Sequence, residues 1–188
     1  WSASDRLDVM TSPAANRKIF MGVPGSSSSP AATSFVWSDI GASMQAHLSK
    51  TDPAASADTL GQARLDFLRG DRSREGSPFR VRSSLVGDIV NSNVTFSGPP
   101  ALSYAGNGYA AFRTAYKTRT PAVFAGANDG MLHAFDATNG DELFAYIPSW
   151  LALRLSAIAE TSFVNSHQVY VDAPSAVGEA QVANTGAA

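Results

Sequence analysis

Residues 123–140, Val-Phe-Ala-Gly-Ala-Asn-Asp-Gly-Met-Leu-His-Ala-Phe-Asp-Ala-Thr-Asn-Gly, narrow the folding options more than any other part of this 188-residue chain. Residues 122–127 read as a small-residue strand, Asn128-Asp129-Gly130 as a tight turn and Met131 to Phe135 as the returning strand. Asp-Gly is a strong hairpin signal because both central positions accept positive φ. Thr138-Asn139-Gly140 turns the chain again into a third strand, Leu143 to Ile147. Three consecutive antiparallel strands form a meander, whose two faces are buried only by further elements stacked against it.

The rest of the chain is organised around that unit. Arg17 to Gly22 and Ser34 to Trp37 look like short strands, and residues 24–34, rich in Ser, Pro and Ala, read as a flexible loop joining them as a hairpin. Ser38 is placed to cap a helix carrying Ile40, Met44, His47 and Leu48 on one face. A second helix is expected from about Ser56 to Arg69, with Leu60, Ala63, Phe67 and Leu68 on its apolar stripe and Gly70 as its stop. From Phe79 onward the pattern is mostly β. Beyond the meander, Leu151, Leu155 and Ile158 suggest a helix capped by Ser149, and His167 to Asp172 another strand.

Composition excludes several functions. A net charge of -2 leaves no basic excess to neutralise phosphates, which argues against nucleic acid as a partner. No window approaches the ~18 consecutive apolar residues of a membrane-spanning helix, so membrane insertion is not expected. With zero cysteines, the chain has neither disulfides nor thiolate chemistry. It starts at Trp1 with no initiator Met and no signal-peptide pattern, and its small-residue tail carries no stop signal, so it reads as part of a longer protein.

The strand, Asp-Gly turn, strand, Asp-Ala-x-x-Gly turn and strand of residues 123–140 resemble the blade repeat of quinoprotein-like β-propellers. A narrower resemblance rests on three blocks: Leu65-Asp66-Phe67-Leu68-Arg69-Gly70-Asp71-Arg72-Ser73-Arg74-Glu75-Gly76, Arg82-Ser83-Ser84-Leu85-Val86-Gly87-Asp88-Ile89-Val90-Asn91-Ser92, and Gly126 through Pro148. Together they are similar to the PilY/PilC family of type IV pilus proteins over roughly residues 55–178. The resemblance implies a mainly β chain, a partial β-propeller with a few short helices. Residues 1–54 would be a lead-in segment and 55–188 the first blades of a propeller continuing beyond the chain.

The family resemblance also implies a secreted, non-enzymatic protein at the pilus tip and outer surface of a Gram-negative bacterium. It would act in pilus biogenesis, twitching motility and adhesion, with minor pilins and the tip complex as partners and an unspecified host or surface receptor. Control of pilus extension against retraction is associated in the family with an Asp-rich calcium loop. Asp136-Ala137-Thr138-Asn139-Gly140-Asp141-Glu142 lacks the Gly and distal Glu placement of an EF-hand-type loop, so calcium is expected elsewhere in the parent protein and no cofactor in this segment. The alternative is a quinoprotein-type oxidoreductase, which shares the blade turns. A propeller-type outer-membrane assembly scaffold is weaker, because the three blocks do not match one.

No residue is assigned as catalytic, cofactor-binding or metal-ligating, and no ligand-binding residue is assigned. His47, His133 and His167 lack metal-ligand spacing, and His133 reads as a packed imidazole near the blade turn, on the face of Met131 and Phe135. Asp129 and Asp136 could serve as an acid/base pair, but capping of turn amides explains them more simply. Asp88 and Asn91 read as satisfying backbone groups at a blade edge. Arg69, Arg72, Arg74, Arg80 and Arg82, interleaved with Asp66, Asp71 and Glu75, suggest ion pairing at a solvated surface. Gly106-Asn107-Gly108 reads as a turn, and no Gly-x-Ser-x-Gly nucleophile elbow occurs. The loops at Pro24 to Ser34 and Pro99 to Gly108 are the expected partner contacts.

Overall fold

The structure is a computed structural model that describes residues 1–23, 32–103 and 108–179. Most of the expected loop at 24–34, together with Gly106, Asn107 and the tail from residue 180, lies outside the described residues. Helices α1 (Ala3–Asp8) and α2 (Pro13–Asn16) precede strands β1 (Ile19–Gly22) and β2 (Ala32–Ser34). Helices α3 (Ala42–Leu48) and α4 (Gly61–Arg69), strand β3 (Thr95–Ser97) and helix α5 (Tyr109–Ala115) follow. The meander is β4 (Ala122–Gly126), β5 (Leu132–Asp136) and β6 (Glu142–Ile147).

These six strands form one sheet in the order β2-β1-β6-β5-β4-β3. All neighbours are antiparallel except β1 and β6, which run parallel with Phe20 opposite Tyr146. The expected hairpin of β1 with β2 and the meander are both present. The lead-in segment and the blade therefore share a sheet.

The two faces of the sheet are built differently. On one, Ala134 of the central strand lies between Phe124 and Phe144 in register, and its small side chain lets the two rings meet edge to face at 6.2 Å. Phe20 continues the row at 6.5 Å from Phe144. Such offset and edge contacts suit the ring quadrupoles. The other face is fully covered. Ile19, Met21, Ala145 and Ile147 pack there against Leu65 and Leu68 of α4 and against Leu151, Leu155 and Ile158 beyond the meander.

The chain departs from several expectations for local reasons. The turn at 128–130 is a three-residue loop closed by Ala127 N donating to Met131 O at 2.9 Å. Only Gly130 takes positive φ, at +89°, because the longer loop relieves Asp129 of that conformation. The helix expected after Ser38 starts at Ala42 with Gly41 at its cap, since the Ser38 hydroxyl donates to Asp39 Oδ1 at 2.6 Å instead of capping. The second helix begins at Gly61 rather than near Ser56, because the Asp58 carboxylate ties the preceding turn by accepting from Leu60 N at 2.8 Å. Its expected stop at Gly70 is present, with φ +117°. The strand after the loop ends at Ser34, short of Trp37.

Ser149 caps no α-helix. Leu151, Leu155 and Ile158 sit on 3-10 segments at Ser149–Leu151 and Ser156–Ala159, held by burial rather than a helical ladder. His167 to Asp172 forms no strand, since Tyr170 N and Val171 N donate to Asn128 Oδ1 (2.9 Å) and Ala127 O (3.3 Å), a turn rather than a ladder. Helix α5 was not anticipated, although Tyr109, Phe112 and Tyr116 recur at helical spacing and stack at 5.7 and 4.9 Å. Gly108, at φ +73°, stands at its N-cap.

Gly130 is the turn position least able to accept a side chain. A Cβ there would lie 2.9 Å from Leu155 Cδ2 in addition to occupying a left-handed conformation. Gly130→Val is predicted to destabilise the chain by on the order of 3 kcal/mol, through strain and core displacement together. Thermal unfolding followed by circular dichroism checks this, and an unchanged midpoint contradicts the assigned turn.

Candidate functional site

Two arginines from outside the first family block, Arg82 of the second block and Arg17 of the lead-in segment, converge on the C-terminus of α4, where the last carbonyls of a helix lack intrahelical partners. Arg82 Nη1 donates to Phe67 O at 2.7 Å, and Arg17 Nη1 reaches Leu68 O and Arg69 O at 3.4 and 3.5 Å. Arg69 itself turns back to donate to Ala14 O, Phe35 O and Arg17 O at 2.6, 2.9 and 2.9 Å. Arg64 spans Asp58 and Glu160, with bonds of 2.6 and 2.8 Å. The expectation of a solvated ion-paired surface therefore fails for Arg69 and Arg82, which are 4% and 7% exposed. A planar guanidinium with five donors satisfies several carbonyls at once and stacks on a ring, as Arg82 does 3.6 Å from the Phe67 centroid. Glu75 pairs with Arg82 at 2.7 Å, so part of the interleaved acidic set is used as expected.

Arg17 also anchors a buried relay of charge. Its Nε and Nη2 donate to the two Glu142 oxygens at 2.7 and 2.8 Å. Glu142 Oε1 lies 2.8 Å from His133 Nδ1, and His133 Nε2 lies 3.0 Å from Asp129 Oδ2. Asp129 also accepts from Gly87 N at 3.0 Å and Met131 N at 3.2 Å. His133 is fully buried and stacks on Phe135 at 5.5 Å, as expected of a packed imidazole near the turn.

A register shift in β6 makes this relay possible. Ala134 opposes Phe144, but Phe135 opposes Glu142, leaving Leu143 as the extra residue of a bulge. Strict alternation from Ala145 would put Glu142 on the opposite face from His133, and the bulge returns it to the same side. Burial works against every charge in the relay. At His133 the desolvation is outweighed by Asp129 and Glu142, which raise its pKa to about 9. At Glu142 desolvation is outweighed by His133 and Arg17, which lower its pKa to about 2. At Asp129 the same competition, won by His133 and the Gly87 amide, leaves the carboxyl below its ordinary value. The imidazolium therefore has both N–H groups committed to carboxylates, which holds a proton in place.

A second cluster interlocks the other two family blocks. Asn128 donates from Nδ2 to Asp88 Oδ2 at 2.8 Å, while its amide donates to Asp88 O at 3.0 Å. Asp88 Oδ1 lies 3.0 Å from His167 Nε2. Asp172 Oδ1 accepts from the amides of Val90, Asn91 and Ser92 at 3.1, 2.6 and 2.9 Å, and its Oδ2 from Asn91 Nδ2 at 2.9 Å. Desolvation opposes the Asp172 charge, and these amides outweigh it, so its pKa falls below the ordinary carboxyl value. The Asp88 and Asn91 side chains thus meet other side chains, a correction to the expected backbone satisfaction. Each has a polar side chain brought opposite it by the turn at 128 or the segment at 172.

Asp136 behaves as turn chemistry requires, its Oδ1 accepting from Thr138 N at 2.7 Å. Within 136–142, Asp141 pairs outward with Arg6 at 2.6 Å while Glu142 points into the relay, so these acids do not converge. Among the described residues, no group of three or more His, Cys, Asp or Glu side chains could hold a metal ion. His47 is half-buried, with Nε2 3.5 Å from Ser43 Oγ. Sequence reasoning missed Arg17, Glu142 and Asp172. The only available signal was a charged residue at the edge of each expected strand.

Residues 86–187 match the family described as the PilY1 beta-propeller domain. The chain belongs to the PilY1 β-propeller family. The type IV pilus biogenesis factor PilY1 of Pseudomonas aeruginosa strain PAK is 43% identical over 192 residues, covering 96% of this chain and 16% of that protein. The protein of the same name from strain UCBPP-PA14 is 36% identical over 190 residues, with the same coverage. A homolog from Xylella fastidiosa is 42% identical over 118 residues, covering 57% of this chain and 10% of that protein. The chain thus spans about a sixth of the length of the first two of these relatives. No solved structure matches it. The meander and the six-stranded mixed sheet are the mainly β, partial-propeller architecture that family membership requires. Among the described residues, no helix is long and apolar enough to cross a membrane.

The relay fixes a pH profile. His133 has a folded pKa of about 9, above its ordinary 6.5, so its contribution is full below 6.5 and is lost as pH rises through 9. Glu142, at about 2 against 4.5, contributes fully above 4.5 and loses that contribution as pH falls through 2. Stability is therefore predicted to be highest near pH 4.5–6.5 as far as this relay governs it, with an alkaline loss on the order of 3 kcal/mol from His133. Denaturant unfolding across pH measures it. His133→Gln should flatten the alkaline limb between 6.5 and 9, and a limb of unchanged slope contradicts the assignment.

Proposed function

We propose that this chain is part of a non-enzymatic propeller platform that supports type IV pilus biogenesis and presents variable loops at the pilus tip. The observation that carries the reading is the 43% identity across 96% of the chain to a protein named for type IV pilus biogenesis. The internal chemistry supports it. The relay of Arg17, Glu142, His133 and Asp129 is buried and its donors are paired with one another, which suits a rigid frame better than proton transfer to a substrate.

In this reading the parent protein is secreted and acts at the outer surface of a Gram-negative cell. Minor pilins and the tip complex are its partners, and adhesion to a host or other surface is its recognitional role. Any calcium-dependent control of extension and retraction, and of the twitching motility that follows, resides in other parts of the parent. Pro99 to Gly108 is the candidate contact loop, and its described part at 99–103 follows β3 along the chain.

The test is complementation. A strain lacking the parent gene is expected to lose sheared surface pili and surface attachment. The full gene should restore both, and a version lacking the stretch homologous to residues 86–179 should restore neither. Normal piliation and attachment in the deletion strain would overturn the proposal.

A further inference from the structure

A cavity of about 330 Å³ opens beside the relay, lined by Arg80, Ser83, Val86, Asp88, Val164 and His167 among others. Arg80 is its unusual member. Its Nε donates to Ile158 O at 2.6 Å, fixing the guanidinium 4.8 Å from the Phe163 centroid and 5.9 Å from that of Phe67. The other deeply placed arginines all reach carboxylates or several carbonyls. The two terminal nitrogens of Arg80, by contrast, have no hydrogen-bond acceptor among the described residues, and no carboxylate lies within 4.0 Å. Burial pulls its pKa below the ordinary arginine value, with Glu75 the largest opposing charge.

The acidic neighbours do not fill this vacancy because their oxygens are already engaged. Asp88 accepts from Asn128 Nδ2 and faces His167 Nε2, and Asp129 is held by His133, Gly87 and Met131. The cavity therefore presents one oriented pair of solvent-reachable N–H donors on an aromatic support, with the apolar side chains of Val86 and Val164 beside it. A planar carboxylate matches that fork bidentately. Asp88 and Asp129 set the specificity, since they repel a multiply charged anion more than a singly charged one.

We propose that Arg80 anchors a binding pocket for a singly charged carboxylate attached to a branched apolar group, such as the C-terminal carboxylate of a polypeptide or a small free acid of the same shape. The site is independent of the pilus reading. Arg80 holds the carboxylate, and Val86 and Val164 cover the adjoining apolar group.

Calorimetric titration with N-acetyl-leucine, N-acetyl-leucinamide, inorganic phosphate, and a pentapeptide ending in leucine as free acid or amide tests this. The acids should bind, the amides at least about tenfold more weakly, and phosphate weakest. Tighter binding of the peptide acid than of N-acetyl-leucine identifies a polypeptide end as the source, and equal binding identifies a small acid. Arg80→Lys should weaken the acids about tenfold by losing the fork, with thermal unfolding confirming the fold. Val164→Glu leaves every Arg80 contact intact, since Val164 is 64% exposed at the rim, and should abolish acid binding by charge and bulk. Absence of binding by both acids, amides that bind as well as acids, or Val164→Glu that binds normally would overturn the proposal.

Discussion

The two-pronged bond between Arg17 and Glu142 is the contact on which the other parts converge. Both side chains are 1% exposed, so neither charge is solvated by water and each depends on the other. From Arg17 the contacts run to the end of α4 and, through its carbonyl, to Arg69. From Glu142 they run through His133 to the blade turn at Asp129. Removing one partner of such a pair leaves an uncompensated buried charge, at a cost of about 3–5 kcal/mol. The lead-in segment, the helix and the meander are thereby tied at one point, in addition to the parallel ladder between β1 and β6.

The three sequence blocks have one spatial explanation. The first block forms the end of α4 and is closed by Arg82 of the second, the Gly87-Asp88 part of the second block docks on the blade turn, and the turn is held from the other side by Tyr170 and Asp172 through the Asn128 side chain. Gly87 is required because a Cβ there would run into the Asp129 backbone. A turn clamped in this way is a rigid base, and rigid bases let neighbouring loops vary without loss of the fold. Beside this clamp, Arg80 is tied to the protein by its Nε and lines the neighbouring cavity.

Much of the meander was legible in the sequence. Asp129-Gly130 and Asn139-Gly140 mark its turns through local backbone preference, and Gly70 ends α4 for the same reason, with all three glycines at positive φ. The apolar positions Met44, Leu48, Phe67 and Leu68 reached the core as their spacing implied. The charged residues were misread because a list of Arg and Asp along a chain does not say which are solvated. Arg69 and Arg74 sit five residues apart in one block, yet one is buried on three carbonyls and the other is exposed. Helix starts also shifted by several residues, since Ser38 and Asp58 used their side chains in local turns.

The sequence alone determined what depends on neighbours along the chain: the turns, the alternating strands and the resemblance carried by three blocks. Tertiary structure decided the rest. The bulge at Leu143 reverses the side on which Glu142 falls, and only the approach of Arg17 and His133 from distant segments makes a buried carboxylate there stable. Strand periodicity is local, but the free energy of a buried charge is set by whatever packs around it.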